Sequence, residues 1–248
     1  MTRFNGLQNI WMKLTNSGIY KLKTDSIRNI KTMVSPPLLS SFVPVSLTPN
    51  WTTFVSAVSL HWGMENFWDM LADSSFMGYA RLSYDSTGKR MVAIFKPLSR
   101  KAVWHGDYAS FGGAHTDNCR HQLVSLDIVG HEFAHGLIEF TAELLYNGEP
   151  GAINESISDI FGFLVEYHTD TAGINWDWLI AEDVFHCDTA LRDMSNPNRF
   201  DQPATYLTDP LWDVNDEVHT NSGVHNYWFY LLANGGSGSN ANDYNYNV

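Results

Sequence analysis

"VGHEFAHG", Val129–Gly136, places two histidines four residues apart, with a glutamate directly after the first. Residues four apart on an α-helix are offset by only about 40°, so His131 and His135 point the same way and can bind one metal ion. Glu132 lies about 100° from His131 on such a helix and suits a general base beside the metal. A polar patch on an ordinary helix is the alternative interpretation, and the rest of the chain separates the two.

Composition limits the class of protein. The chain has 248 residues, of which 44% are hydrophobic and 14% aromatic, which is typical of a globular protein with one or two domains. The net charge of -12 argues against a nucleic-acid partner, which favours clustered Lys and Arg. No apolar run approaches the roughly 18 residues of a membrane span. Cys119 and Cys187 are compatible with one bridge, but we expect two unpaired thiols at least as much.

The pattern along the chain predicts an α+β fold. Strands are indicated by "GIYKLK" and "MVAIFK", with "DSTGK" as a hairpin turn and one helix within "WTTFVSAVSLHWGMENFWDMLADSS". From Ser125, a candidate N-cap, helical periodicity dominates in "LDIVGHEFAHGLIEFTAELL", "AINESISDIFGFLVEYH" and "SGVHNYWFYLLANGG". We therefore predict a β-rich N-terminal lobe over 1–124, a central helix within 125–146 and a helical C-terminal lobe over 147–248.

A catalytic zinc site needs a third protein ligand as well as an open position. The metzincin pattern would require Gly and His where this chain has Ile138 and Thr141, so that pattern is absent. Glu155 and Asp159, one turn apart on the next predicted helix, lie opposite its apolar side. They are either a solvated face or a ligand with its hydrogen-bond partner, and the two metal-spaced histidines favour the second interpretation.

At this point the sequence resembles a known family. "VGHEFAHG" is followed after nineteen residues by the Glu of "GAINESISDIFG", which is similar to the thermolysin family of zinc metalloproteases. The resemblance covers most of the chain, since further segments are similar in the same order: "ARLSYDSTGK", "KAVW", "LVSLDIVGHEF", "AEDV", "LRDMSNP" and "VHTNSGV". It implies a secreted, monomeric endopeptidase with a zinc site in the cleft between two lobes.

The resemblance also assigns roles to individual residues. It implies that His131, His135 and Glu155 bind zinc and that Glu132 activates water. Asp159 would hold the second ring nitrogen of His131, with Asn154 as a further support of the ligands. Donors to the tetrahedral oxyanion would be Tyr146 and His219, and Arg192 would bind the substrate carbonyl and brace the site. Taken alone, these last three residues are better explained as a core tyrosine, an exposed loop histidine and a surface charge, and the family spacing reverses that preference.

Substrate contacts follow from the same resemblance. Ala102 and Trp104 match the segment whose backbone pairs with an extended peptide, whereas the family's Asn is replaced here by Lys101, which cannot accept a hydrogen bond. A pocket for a large hydrophobic side chain after the scissile bond would be lined by Ile128, Ile180, Val184 and Leu191. The same four side chains would also fit a plain core.

Two further departures concern charge. Val214 stands where the family has the Asp that orients the oxyanion histidine, so Asp213 or Asp216 is expected to replace it. The family's double calcium site is matched by Asp127, Glu166, Asn175, Asp177 and Glu182, an all-oxygen set suited to a hard cation. Because Leu179 replaces one carboxylate of that set, we expect one calcium ion rather than two.

Alternative interpretations remain at two levels. "MTRFNGLQNIWMKL" has no signal-peptide core, and we interpret the chain as a fragment that lacks the family's leader, propeptide and last helices. "GMEN", Gly63–Asn66, resembles an aminopeptidase loop but falls inside a predicted helix, so we take it as a coincidence. A catalytically impaired zinc-binding scaffold is the non-enzymatic alternative, and the presence of Glu132 and Tyr146 argues against it.

Overall fold

A four-stranded sheet with one long helix against it organises the N-terminal half. The computed structural model describes residues 5–25, 27–36, 39–113, 119–170, 176–185, 187 and 190–248. The N-terminal elements are β1 (Lys13–Leu14), β2 (Tyr20–Lys21), β3 (Ile30–Val34), β4 (Val45–Ser46), α1 (Val55–Ala72), α2 (Ser74–Met77), β5 (Met91–Lys96), β6 (Val103–Trp104) and β7 (Ala109–Gly112). β3, β5 and β7 run parallel, and β6 pairs antiparallel with β7 at the sheet's edge, in the order β3-β5-β7-β6.

Alternation along β5 explains how the sheet and α1 meet. Met91, Ala93 and Phe95 are buried while their neighbours are partly exposed, which is the period-two pattern of a strand. Helix α1 buries Phe67 and Leu71, among others, in the same apolar core. The edge strand β6 places the Trp104 ring against Gly136, on the helix that begins the C-terminal half.

The predicted hairpin at Asp85–Lys89 is wrong. These residues form a loop whose conformation is stabilised by the Asp85 carboxylate, which accepts from the backbone N–H of Thr87 at 3.0 Å and of Lys89 at 3.1 Å. β5 follows this loop but pairs in parallel with β3 and β7, not with a strand directly before it. A local turn signal alone could not distinguish these two arrangements.

Two long helices form the junction with the C-terminal half: α3 (Leu126–Glu139) and α4 (Gly148–Thr169). They approach closely at glycines. A Cβ on Gly130 would lie 2.7 Å from Val165 Cγ1, and one on Gly162 would lie 2.7 Å from the Asp127 carbonyl oxygen. Only residues without a side chain fit there, and the close approach lets side chains from both helices reach one point.

Helix α3 is shorter than the predicted segment 125–146. Ser125 precedes it, as expected of an N-cap, although its hydroxyl makes no capping hydrogen bond. The helix ends at Glu139, after which the Thr141 hydroxyl bonds the Leu137 carbonyl at 2.6 Å and Glu143 adopts a left-handed φ of 51°. The chain therefore turns back toward α4.

The remaining elements complete the mixed α+β fold that the sequence predicts. They are β8 (Leu179–Ile180), a 3₁₀ turn (Glu182–Val184), β9 (Arg192–Asp193), a 3₁₀ turn (Pro197–Phe200), α5 (Val218–Asn234), β10 (Ser237–Ser239) and β11 (Asn245–Asn247). β8 pairs with β9, and α5 packs on α4. None of the helices in the described ranges combines the length and apolarity needed to cross a lipid bilayer.

Cys119 and Cys187 form a disulfide with Cα atoms 5.4 Å apart. This decides between the one bridge and the two unpaired thiols that the sequence left open. The bridge joins segments 68 positions apart in sequence, so no local pattern could indicate it.

Candidate active site

Three predicted ligands converge between α3 and α4. The Nε2 atoms of His131 and His135 are 3.1 Å apart, and each lies 3.5 Å from a carboxylate oxygen of Glu155. Ligand atoms on a tetrahedral zinc ion, with bonds of 2.0–2.1 Å, are separated by about 3.3 Å. Glu155 Oε2 is buried without a hydrogen-bond partner, as expected of an atom that binds a metal. Chemistry and spacing both fit one zinc ion.

The other nitrogen of each imidazole is occupied. Asp159 Oδ1 lies 2.9 Å from His131 Nδ1, and Asn154 Oδ1 lies 2.7 Å from His135 Nδ1. The Ser158 hydroxyl is also 3.0 Å from His135 Nδ1. These contacts orient both rings so that their Nε2 atoms face the shared point.

Arg192 braces this arrangement from β9. It is buried, and its Nη2 donates to Asp159 Oδ1 at 2.5 Å. Burial by itself would raise the pKa of Asp159, but the charges of Arg192 and His131 outweigh it, and the pKa of Asp159 is lowered. The pKa of Glu155 is lowered in the same way, against burial, by His131, His135 and Arg192. The carboxyls of Asp159 and Glu155 are therefore ionised. The contact expected between Arg192 and a substrate carbonyl stays a prediction.

Glu132 lines a cavity of about 700 Å³ together with both histidines and Glu155. Burial raises the pKa of Glu132 to about 7, with the positive charge of His131 opposing the shift. A group that accepts a proton near neutral pH is suited to general base catalysis. The position and raised pKa of Glu132 are compatible with a general base, and its role stays a prediction.

Tyr146 and His219 face the same cavity from the segment after α3 and from α5. The Tyr146 hydroxyl donates to Glu155 Oε1 and lies 3.3 Å from His219 Nε2. Both side chains are about half exposed, at 54% and 53%, so they are accessible to a bound peptide.

The partner that orients His219 differs from the expectation. Glu217 Oε1 lies 2.8 Å from His219 Nδ1, whereas Asp213 and Asp216 make no contact with this ring among the described residues. Asp213 Oδ1 instead accepts from the backbone N–H of Asn215 at 2.7 Å. Glu217 is the residue before α5 and also accepts from the Thr220 N–H at 2.7 Å, and this cap position is the only sequence signal that indicates it.

The predicted substrate contacts are only partly brought together. Ala102, Trp104 and Lys101 line the cavity. The four apolar residues of the expected specificity pocket do not contribute to its lining: Leu191 is about half exposed, and the other three belong to the buried core, Ile128, Ile180 and Val184.

Comparison with known sequences decides the family. A family model described as "Thermolysin metallopeptidase, catalytic domain" matches residues 4–139, and one described as "Thermolysin metallopeptidase, alpha-helical domain" matches residues 142–247. The chain belongs to the thermolysin family. Its family membership agrees with the ligand geometry above and confirms the resemblance drawn from the sequence.

Individual relatives of this thermolysin-family chain differ in length. Neutral protease NprE of Bacillus pumilus is 36% identical over 199 residues, which cover 75% of this chain and 62% of NprE. Thermolysin of Alicyclobacillus acidocaldarius is 38% identical over 164 residues, 64% of this chain and 30% of that protein. A solved structure, the precursor of protealysin, a metalloproteinase from Serratia proteamaculans, superposes with a TM-score of 0.65 at 27% identity, covering 82% of this chain and 68% of that one. The chain therefore spans under two thirds of these two curated relatives.

A second cluster in this thermolysin-family chain contains only carboxylates. Oxygens of Glu166, Glu182 and Asp183 lie within 4.8 Å of one another. Burial raises the pKa of Glu166 and of Glu182 and raises that of Asp183 to about 6, and the negative charges of Asp127 and Asp177 add to each shift. Asp183 is absent from the predicted calcium set, although it directly follows Glu182 in the sequence.

Other members of the predicted calcium set bond to backbone. Asp127 accepts from the N–H groups of Ile128, at 2.7 Å, and of Ala181. Asp177 accepts from the Leu179 N–H at 2.7 Å. Asn175 lies outside the described residues.

Proposed function

We propose that this chain is the catalytic part of a secreted zinc-dependent endopeptidase. The observation that carries the proposal is the convergence of two imidazole nitrogens and one carboxylate, 3.1–3.5 Å apart, on a cavity that also contains Glu132. Zinc, when bound, supplies Lewis acidity to the attacking water and to the peptide carbonyl. Membership of the thermolysin family supports this activity.

Glu132 removes a proton from the attacking water and later delivers it to the leaving amine. Its raised pKa, about 7, allows both steps near neutral pH. Tyr146 and His219 donate hydrogen bonds to the oxyanion as the carbonyl carbon becomes tetrahedral, which is where negative charge increases most. Glu217 Oε1 lies 2.8 Å from the second nitrogen of His219 and orients the ring so that Nε2 faces the cavity.

An extended peptide binds along the 102–104 segment at the cavity wall, with Arg192 contributing to the carbonyl contact. We also propose a preference for a bulky hydrophobic residue after the scissile bond. Support comes from the resemblance to the thermolysin family, which assigns four apolar residues near the site elements to this pocket: Ile128, Ile180, Val184 and Leu191. Ile128 lies three residues before His131 on α3, and Leu191 directly precedes Arg192.

Metal analysis and peptide digestion test this function. The protein is loaded with zinc, and cleavage products of a mixed peptide library are identified by mass spectrometry. We expect one zinc per chain and cuts before Leu, Ile or Phe. One zinc without any cleavage contradicts the enzyme and supports the zinc-binding scaffold; no zinc contradicts both.

For the acidic cluster we propose one structural calcium ion bound by Glu166, Glu182 and Asp183. Glu182 Oε2 is buried without a hydrogen-bond partner, and carboxylate oxygens are the ligands that calcium prefers. Calcium should raise the thermal midpoint of unfolding, and Glu182→Gln should remove most of this increase. Asp107→Asn, at an exposed position, is the control and should leave it unchanged.

Secretion and a monomeric state complete the proposal. The Cys119–Cys187 disulfide supports an oxidising compartment, since such bridges persist outside the reducing cytosol. Cell fractionation and light scattering test these two points. Protein retained in the cytoplasm with both thiols alkylatable contradicts secretion, and a mass of twice 28.0 kDa contradicts the monomer.

A further inference from the structure

The proposed site residues contact only one of the two carboxylate oxygens of Asp159, and the other oxygen has a different donor. Asp159 is fully buried, and its Oδ1 faces both His131 Nδ1 and Arg192 Nη2. Its other oxygen, Oδ2, accepts from the side-chain amide of Asn226 at 2.8 Å. Asn226 is also fully buried and lies on α5, outside the two helices that carry the zinc ligands.

The orientation of the Asn226 amide is determined by its neighbours. The amide nitrogen faces Asp159 Oδ2, since Arg192 already donates to Oδ1 of the same carboxyl and an amide oxygen could not donate to Oδ2. The amide oxygen then faces Ser156, whose hydroxyl donates to it at 2.6 Å. His225 Nδ1 lies 2.8 Å from the same hydroxyl oxygen and can donate to it. Hydrogen bonds therefore run in one direction, from α5 through Ser156 and Asn226 to Asp159.

We propose that Asn226 is a positioning residue for the zinc site, which holds His131 in its metal-binding orientation through Asp159. This inference rests on the proposed function, because it assumes that His131 binds zinc. Without the amide, Asp159 Oδ2 loses its donor inside the core, and its carboxylate can rotate away from His131 Nδ1. A ring that is less well oriented gives a weaker ligand.

Helix α5 thereby reaches the site at two points. His219, seven positions before Asn226, lies on its first turn and faces the cavity, while Asn226 lies two turns further on and faces the ligand-supporting carboxylate. The backbone carbonyl of His219 is itself held by Gln202 Nε2 at 2.5 Å. The same helix thus positions an oxyanion donor and a ligand's support.

The experiment compares two buried asparagines of α5. Asn226→Ala removes the amide that faces Asp159. Asn221→Ala removes a buried side-chain amide of the same helix whose hydrogen bonds, within the described part of the chain, go to the Asp213 backbone, at 2.9 Å in both directions. Zinc affinity of each full chain is measured by competition with a chromophoric chelator, and unfolding of the zinc-free proteins is followed by circular dichroism.

We expect Asn226→Ala to weaken zinc binding about tenfold, the lower range for residues that support a ligand, and Asn221→Ala to leave it unchanged. Comparable losses of zinc-free stability in both variants would show that the affinity change is specific. Wild-type affinity in folded Asn226→Ala, or equal losses of affinity in both variants, overturns the inference.

If Asn226→Ala does not fold, Ser156→Ala replaces it, since that change removes only the hydroxyl that orients the amide. A severalfold loss of zinc affinity then supports the inference, and unchanged affinity overturns it. Wild-type protein that binds no zinc would overturn the proposed function together with this inference, whereas zinc-binding wild type with an unaffected variant overturns the inference alone.

Discussion

Two buried histidines on neighbouring helices have opposite environments. His61 on α1 uses both ring nitrogens: Nδ1 lies 2.8 Å from the Thr32 hydroxyl, and Nε2 lies 2.8 Å from the Trp11 carbonyl. His131 on α3 uses only Nδ1, and its Nε2 faces His135 and Glu155. Burial and helical spacing are therefore not enough for a metal site. What distinguishes the site on α3 is that the Nε2 atoms of His131 and His135 and Oε2 of Glu155 face one another with no backbone or hydroxyl donor of the described residues between them.

The carboxyls beside these histidines differ in the same sense. Glu65, four residues after His61, accepts from the Trp11 N–H at 2.7 Å, and burial raises its pKa to about 8. In Glu155, burial is outweighed by His131, His135 and Arg192, and the pKa is lowered. Glu65 belongs to "GMEN" and lies within α1. Its hydrogen bond with the Trp11 N–H gives this glutamate a structural role, so the motif needs no aminopeptidase cleft.

The largest difference should come from Glu132. We expect Glu132→Gln to lower kcat/KM by about 1000-fold, because a general base contributes 10²–10⁴ to the rate, while zinc remains bound. Glu139→Gln is the matched control, since Glu139 lines the same cavity but accepts from Trp104 Nε1 at 2.8 Å. Peptide hydrolysis and zinc content are measured on both. Activity of Glu132→Gln within tenfold of wild type would contradict its assignment as base.

The next test replaces one histidine of each kind by alanine, a proposed zinc ligand and the core histidine His61. His135→Ala should weaken zinc binding by more than about 100-fold, since loss of a mere supporting contact already costs 10–100-fold. His61→Ala should leave zinc affinity unchanged but lower the free energy of unfolding by about 3 kcal/mol, because it leaves the Thr32 and Trp11 groups unpaired in the core. Chelator competition and urea unfolding separate the two effects. A zinc loss in His61→Ala would break the comparison.

Much of this site follows from the sequence because its ligands lie on periodic helices. Spacing alone brings His131 and His135 together, and the apolar side of the next helix determines where Glu155 points. The sequence does not indicate the end of α3, because "FTAELLY" contains no Gly or Pro. The helix nevertheless ends at Glu139, and the turn that follows brings the Tyr146 hydroxyl to Glu155.

Residues that act across long sequence separations were not predictable in this way. Glu217 and Asn226 reach the site only through the packing of α5 on α4, and Cys119 finds Cys187 through the whole fold. Their pairing depends on distances set by the tertiary fold, and local propensity and sequence spacing carry no information about those distances.

Glu65 offers a test by pH. Its folded-state pKa of about 8 lies above the ordinary value of 4.5, so the folded protein holds this proton more tightly than the unfolded chain. The stability that this proton gives is complete below pH 4.5 and is lost as the pH rises through 8. Glu65→Gln, which imitates the protonated group, should be about 4 kcal/mol more stable than wild type at pH 8 and equal to it at pH 4.

Urea unfolding at pH 4, 6 and 8 measures this difference. Asp107→Asn, at an exposed position, serves as control and should follow the wild type at every pH. If the stability difference between Glu65→Gln and wild type does not grow with pH, the Glu65 carboxyl is not held in its neutral form.

The smallest expected effect concerns Lys101 at the cavity wall. Its exposed ammonium should attract acidic substrate residues, and Lys101→Asn should lower kcat/KM for acidic peptides about threefold relative to neutral ones, with zinc affinity unchanged. Parallel assays on matched Glu and Gln peptides measure the ratio, and Arg100→Gln, the exposed neighbour, is the control. An unchanged ratio for Lys101→Asn would remove Lys101 from substrate selection.

The Cys119–Cys187 bridge has a topological consequence. Positions 119 and 187 close a covalent ring that contains all of α3 and α4, and with them every proposed zinc ligand. In the chain-entropy description, a ring of this size disfavours the unfolded state by about 4 kcal/mol. A cut in the connection over 140–147 would open the ring without separating its ends. A nicked molecule would therefore keep His131, His135 and Glu155 in one covalent unit, and only reduction of the bridge would release them.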